Sequence, residues 1–118
     1  KAREVSQLVQ THGKYTVDSW KPVVGKFIFT RESGGVVSQF NMPQAIEPYS
    51  SEILGADRHV ALGKKAGLAN IKYKIEELGL NTSQENHGAI LEKVKALGTA
   101  EKRLVTDDEF RSMVAEVG

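Results

Sequence analysis

The sequence predicts a mainly α-helical chain, with a short extended N-terminal half around a glycine-rich loop and then a three-helix C-terminal subdomain. Three observations carry this expectation. Apolar residues recur at three- and four-residue spacing through the C-terminal half, Gly79 and Gly98 stand where two such stripes end, and Thr106 with Glu109 forms a helix-start signature. The division this implies places an N-terminal helix, linker and loop in residues 1–63 and the three helices in residues 64–118.

The first element spans Ala2 to about Gln10, with Val5, Leu8 and Val9 apolar among Arg3, Glu4, Gln7 and Gln10, and ends near His12 and Gly13, where glycine accepts the left-handed cap conformation. Tyr15 to Phe29 is rich in valine and aromatic residues and carries Pro22 and Gly25, which favours extended backbone and short strands. Thr30 to Gly35 reads as a polar, flexible loop. Val36, Val37 and Phe40 then give one or two helical turns before Pro43, and Pro43 to Ser51 reads as irregular. Arg58 to Leu62, between Gly55 and Gly63, reads as a short strand.

In the C-terminal half, Leu68, Ile71, Ile75 and Leu78 fall on one helical face until Gly79 caps it. A second helix begins near Ser83 as N-cap and carries Ile90, Leu91, Val94 and Leu97 until Gly98 stops it. The third starts at the Thr106 and Glu109 capping box, with Phe110, Met113, Val114 and Val117 as its apolar side.

At 118 residues the chain has the length of one ordinary domain, short of the ~200 or more residues usual for a barrel enzyme. Sixteen basic residues against 15 acidic ones leave a formal charge of +1, so the balance calls for neither nucleic acid nor an anionic membrane as partner. The absence of cysteine removes disulfides, thiolate zinc sites and cysteine nucleophiles. Apolar runs such as Phe27-Ile28-Phe29 fall far short of the ~18 residues a bilayer span needs, and Lys1 opens no signal-peptide pattern, which makes a cytoplasmic protein the expectation. A helical pattern that begins at once, with no initiator methionine, reads as a chain continuing upstream.

Most catalytic templates fail on the residues. Gly63-Lys64 is followed by Lys65 where a phosphate-binding loop needs serine or threonine, and Ser33 has Arg31 where a nucleophile elbow needs glycine. His12, His59 and His87 are far apart and form no ligand pair, so no metal site and no cofactor site is expected within this chain. Asn81-Thr82-Ser83 matches a glycosylation acceptor but reads better as helix-start chemistry. Lys64, Lys65, Lys72 and Lys74 read first as a solvated face and second as a phosphate cradle at the mouth of the Leu68 helix. Arg31-Glu32-Ser33-Gly34-Gly35 stays open between a turn in which Glu32 pairs with Arg31 and a loop lying over a site.

That same segment carries a resemblance. Pro22-Val23-Val24-Gly25-Lys26 followed by Phe29-Thr30-Arg31-Glu32-Ser33-Gly34 resembles the stretch after the barrel in isopropylmalate, homocitrate and citramalate synthases, which reads approximately P-I-V-G-x-N-A-F-x-H-E-S-G-I-H. Leu62-Gly63-Lys64-Lys65-Ala66-Gly67, with Ile75-Glu76-Glu77-Leu78-Gly79 after it, is similar to the family's L-G-K-H-S-G and the helix ending E-E-L-G. The resemblance covers about Ala2 to Leu80 and extends to the HMG-CoA lyase-like relatives of these metal-dependent enzymes.

The resemblance implies a linker or communication region after a (β/α)8 barrel, with the divalent metal, the 2-oxo acid and the acyl-CoA held by that barrel. It also implies a homodimer in which this region reaches the partner's active site. Arg31 stands where many members have histidine, Glu32, Ser33 and Gly34 match directly, Val36 replaces a second histidine and Lys65 a third. Guanidinium stays protonated where imidazole exchanges a proton, so Arg31 is expected to contact a substrate carboxylate or enolate oxygen, Glu32 to orient it, and Ser33 and Gly34 to bind substrate. This departure argues against a standard isopropylmalate synthase and for a divergent synthase or lyase-like relative. Tyr49 is offset by three positions from the tyrosine of the synthases and takes no role. The alternative, from another class, is a free-standing helical binding or adaptor domain. An adaptor would show no exposed apolar patch, whereas an accessory region would leave Val23, Phe27, Phe29, Val36 and Phe40 partly exposed.

Overall fold

The computed structural model describes residues 1–118. It is mainly helical, with α1 at Ala2–Gly13, α2 at Gly34–Val37, α3 at Ser51–Leu54, α4 at Leu68–Leu78, α5 at His87–Ala100 and α6 at Asp107–Val117. Two strands of two residues each, β1 at Thr30–Arg31 and β2 at His59–Val60, pair with each other. His59 N–H donates to the Phe29 carbonyl and Ala61 N–H to that of Arg31, both partners advancing together, so the strands are parallel. The chain forms two compact units, residues 1–30 with 42–59, and residues 31–41 with 60–118.

In the first unit α1 buries no side chain, and Val5, Leu8 and Val9 are more than half exposed. The helix runs through Gly13, and the left-handed residue expected there is Lys14, with φ of 54°. Gln10 Oε1 accepts from Val17 N–H at 2.8 Å and ties the helix to the segment after it. That segment forms turns where strands were expected: Gly25 N–H donates to the Lys21 carbonyl and Phe27 N–H to that of Ser19. A Cβ on Gly25 would stand 2.6 Å from three backbone atoms of Ser19 and Lys21, so only glycine closes this turn. Val23, a β-branched residue at φ of 70°, is held in that unfavourable conformation with its N–H donated to Tyr49 Oη at 2.9 Å. Phe29 packs edge-on against Tyr49 and is buried, which corrects its expected exposure. Arg58 grips Glu47 with two hydrogen bonds of 2.7 and 3.1 Å.

The second unit holds the core, with Leu62, Ile71, Ile90, Val94 and Phe110 almost wholly removed from water and Val37, Val105 and Val114 around them. Helix α4 packs on α2 and α5, and α5 on α6. The face α4 buries is Asn70, Ile71, Lys74 and Ile75; Leu68, expected on the apolar stripe, is 57% exposed. Gly79 ends α4 in the left-handed conformation, as its position predicts. Ser83 begins a short 3-10 turn, Gln84–Asn86, and α5 follows from His87.

Gly98 does not stop α5, which continues to Ala100. A Cβ there would stand 2.9 Å from Lys64 N and 3.1 Å from Gly63, so this glycine lets the Gly63–Lys64 backbone lie directly on the helix. Thr106 and Glu109 form the expected capping box, each side chain accepting the other's backbone N–H. No helix is long and apolar enough to cross a membrane.

Candidate functional site

The two motif segments meet in the second unit. Arg31 ends β1, half-buried, with its carbonyl fixed by Ala61 N–H at 2.8 Å. One residue on, Glu32 Oε1 accepts from the Lys65 backbone N–H at 2.9 Å, which bonds one motif to the other across 33 residues of sequence. Ser33 is the exposed N-cap of α2; its carbonyl accepts from Val36 and Val37, and its hydroxyl makes no capping bond. Gly34 and Gly35 open α2, where a flexible loop was expected.

Asn70 binds the assembly from beneath. It is fully buried, its amide donates to the Glu32 carbonyl at 2.6 Å and to the Ala61 carbonyl at 3.2 Å, and its oxygen accepts from Gly67 N–H at 3.0 Å. The buried Asn70 amide has a partner on both its nitrogen and its oxygen, so its burial costs little. A Cβ on Gly34 would stand 2.7 Å from the Gly67 Cα, so the segments touch backbone to backbone. Sequence reasoning passed over Asn70, although a polar residue immediately before Ile71 on a buried helical face was the available signal.

The knot leaves Arg31 half-buried and Ser33, Lys64 and Lys65 exposed around its edge. There Arg31 contributes a guanidinium and Ser33 a hydroxyl that makes no capping bond. No three His, Asp or Glu side chains of this chain come together. His12 and His59 are exposed and His87 is half-buried, each in a different element. Of the four lysines read first as a solvated face and second as a phosphate cradle, Lys64, Lys65 and Lys72 are exposed, but Lys74 is buried and paired with Glu77 at 2.6 Å and Asp107 at 3.1 Å, which corrects both readings for that residue.

Residues 23–102, which contain both motif segments except Pro22, and Asn70 with them, match a family model described as homocitrate synthase post-HMGL domain-like. The chain belongs to this family. Homocitrate synthase AksA of Methanothermobacter thermautotrophicus is 33% identical to this post-HMGL domain over 115 residues, 97% of the chain and 29% of that protein. Putative (R)-citramalate synthase CimA of Archaeoglobus fulgidus is 37% identical over 113 residues, 95% of the chain and 23% of that protein. Probable 2-isopropylmalate synthase of Ignicoccus hospitalis is 35% identical over 115 residues, 97% and 29% respectively. The post-HMGL domain chain thus spans less than a third of the length of these curated relatives, whose names divide among three synthases.

Proposed function

We propose that these residues serve as the accessory, communication domain of a metal-dependent enzyme that joins an acyl-CoA to a 2-oxo acid by Claisen-type condensation, or of a related lyase. In this reading the domain supplies homodimer contacts and presents Arg31 and Ser33 at the mouth of the partner's barrel. The Arg31 guanidinium holds a substrate carboxylate or enolate oxygen, and the Ser33 hydroxyl donates to the same anion. A guanidinium serves to bind anions and not to exchange protons, so the acid–base steps fall to groups outside this chain. Glu32 is a positioning residue whose carboxylate grips Lys65 N–H. Gly34 permits the contact with Gly67 that sets the turn. The divalent metal and the acyl-CoA belong to residues outside these 118.

One observation carries the reading: Asn70 and the Lys65 N–H hold Glu32 on one side of Ser33, Gly67 lies against Gly34 on the other, and the Ser33 hydroxyl makes no capping bond. A catalytic group needs such support to be worth its position. The exposed apolar residues also favour an accessory domain over a free-standing adaptor. Val5, Leu8 and Val9 on α1, with Tyr15, Trp20, Met42 and Ile53, are each more than half exposed in the first unit, a concentration that soluble monomers avoid.

The test is steady-state kinetics of the complete polypeptide, following release of free CoA thiol. Arg31→Ala is expected to lower kcat/KM for the 2-oxo acid about a hundred-fold, and Arg31→Lys to recover part of it. Unchanged kcat and KM in both variants would sink the reading.

A further inference from the structure

A cleft of about 500 Å³ lies beside the knot, lined by Glu32, Lys64, Lys65, Gly98, Thr99, Lys102, Arg103 and Leu104. Its floor is the close approach of Gly63–Lys64 to Gly98 of α5, and Leu104, 51% exposed, supplies an apolar wall. The charge of this hollow is lopsided in a chain that is otherwise nearly balanced.

Four cations surround it. Arg103 is taken by Glu101 and Glu109, but Lys64, Lys65 and Lys102 form no ion pair. Glu32 is the one acidic residue of the lining, and its carboxylate is engaged by the Lys65 backbone N–H. Lys102 is also one of three non-glycine residues with positive φ, at 52°, so the turn that brings it to the rim is held against its own preference. Lys64, Lys65 and Lys102 thus line one concavity with no anionic partner, and an anion with several charges can pair with all three where a single carboxylate cannot.

We infer that this cleft binds a small ligand carrying a diphosphate or two closely spaced phosphates, held by Lys64, Lys65 and Lys102. The site is separate from the anion-binding role of Arg31 and stands or falls independently of it. An ion-pair network on the rim, Arg103 with Glu101 and Glu109, fixes the wall from which Lys102 projects. Phosphate chemistry could come from inorganic pyrophosphate or from a nucleotide, whose base would lie on Leu104.

Isothermal titration of the complete polypeptide with pyrophosphate and with ADP tests this, in parallel with a triple variant Lys64→Gln, Lys65→Gln, Lys102→Gln and a control Lys72→Gln on the exposed side of α4. The inference expects saturable binding that the triple variant weakens about ten-fold or more, that the control leaves alone, and that added salt weakens. Equal affinity for both probes supports a site reading the diphosphate alone. Tighter ADP binding, lost on Leu104→Ser, supports a nucleotide. Absence of saturable binding to the wild-type protein, or equal weakening by Lys72→Gln, overturns the proposal. Circular dichroism of each variant separates lost binding from lost folding. Thiol-release kinetics of Arg31→Ala report on the other reading without touching the cleft.

Discussion

Gly34 and Gly67 lie so close that a Cβ built on Gly34 would stand 2.7 Å from the Gly67 Cα. The obstacle is backbone, which cannot swing aside as a flexible side chain does. Gly34→Ala is therefore expected to cost about 1–3 kcal/mol, as overpacking in a tight site does. Its neighbour is the control. A Cβ on Gly35, also in α2, meets nothing within 4 Å, and Gly35→Ala should leave stability unchanged or raise it by about 0.5–1 kcal/mol. Urea unfolding midpoints at constant slope measure both, and equal midpoints would show that the two segments are not in contact.

Removing the side chain of Asn70 leaves the Glu32 and Ala61 carbonyls and the Gly67 N–H without their buried partner. Asn70→Ala is expected to cost about 2–4 kcal/mol. Asn70→Asp keeps an oxygen for Gly67 but sets a carboxylate against two carbonyl oxygens, so it should be at least as harmful. An Asp variant as stable as wild type by urea unfolding would mean that the amide donates nothing of value.

The contrast between Asn70 and the helices explains what was legible in the sequence. Helix α6 could be read because its cues are local: Thr106 and Glu109 are three residues apart and cap each other. Gly79 announces the end of α4 for the same reason. Asn70 acts on Glu32, 38 residues away, and no spacing rule reports that. Gly98 looked like a stop because a helix's C-terminus and a close approach of backbone both require glycine, and only the fold distinguishes them. Leu68 was placed on the apolar stripe because it is apolar, while Lys74 was placed off it because it is charged. The buried face takes Lys74 instead, since Glu77 and Asp107 satisfy the ammonium there. The motif residues Arg31 to Gly34 stand out in the sequence by their chemistry and by resemblance, but the bonds that tie Glu32 to Lys65 and Asn70 are visible only in the fold.

Lys74 gives a test at high pH. Burial alone would lower its pKa, yet hydrogen bonds and attraction to Glu77 and Asp107 outweigh burial and raise it above the ordinary 10.5. A raised folded-state pKa means that the pairing contributes fully below 10.5 and is lost as pH rises through the folded value. Glu77→Gln with Asp107→Asn leaves the buried ammonium unpaired, at an expected cost of about 1–2 kcal/mol, limited because both carboxylates are partly in water. Urea unfolding across the alkaline range should show the wild-type advantage over this double variant shrinking as Lys74 deprotonates. A constant advantage would assign it to something other than the ion pairs.

The start of α6 gives the corresponding test in acid. Glu109 accepts both arms of Arg103 and the Thr106 N–H, and the Arg103 contact foremost lowers its pKa from 4.5 to about 2. A lowered folded-state pKa means stability that is complete above 4.5 and disappears as pH falls from there toward about 2. Because the ionised carboxylate accepts from Thr106 N–H more strongly than the neutral acid does, this loss should appear first as faster amide exchange at Thr106 and Phe110, before the core opens. Arg103→Gln removes the principal cause of the shift, so the onset of exchange should move to higher pH. If wild type and Arg103→Gln opened at the same pH, the helix start would owe its acid resistance to Thr106 alone, and Arg103 would be a bystander at the rim of the cleft.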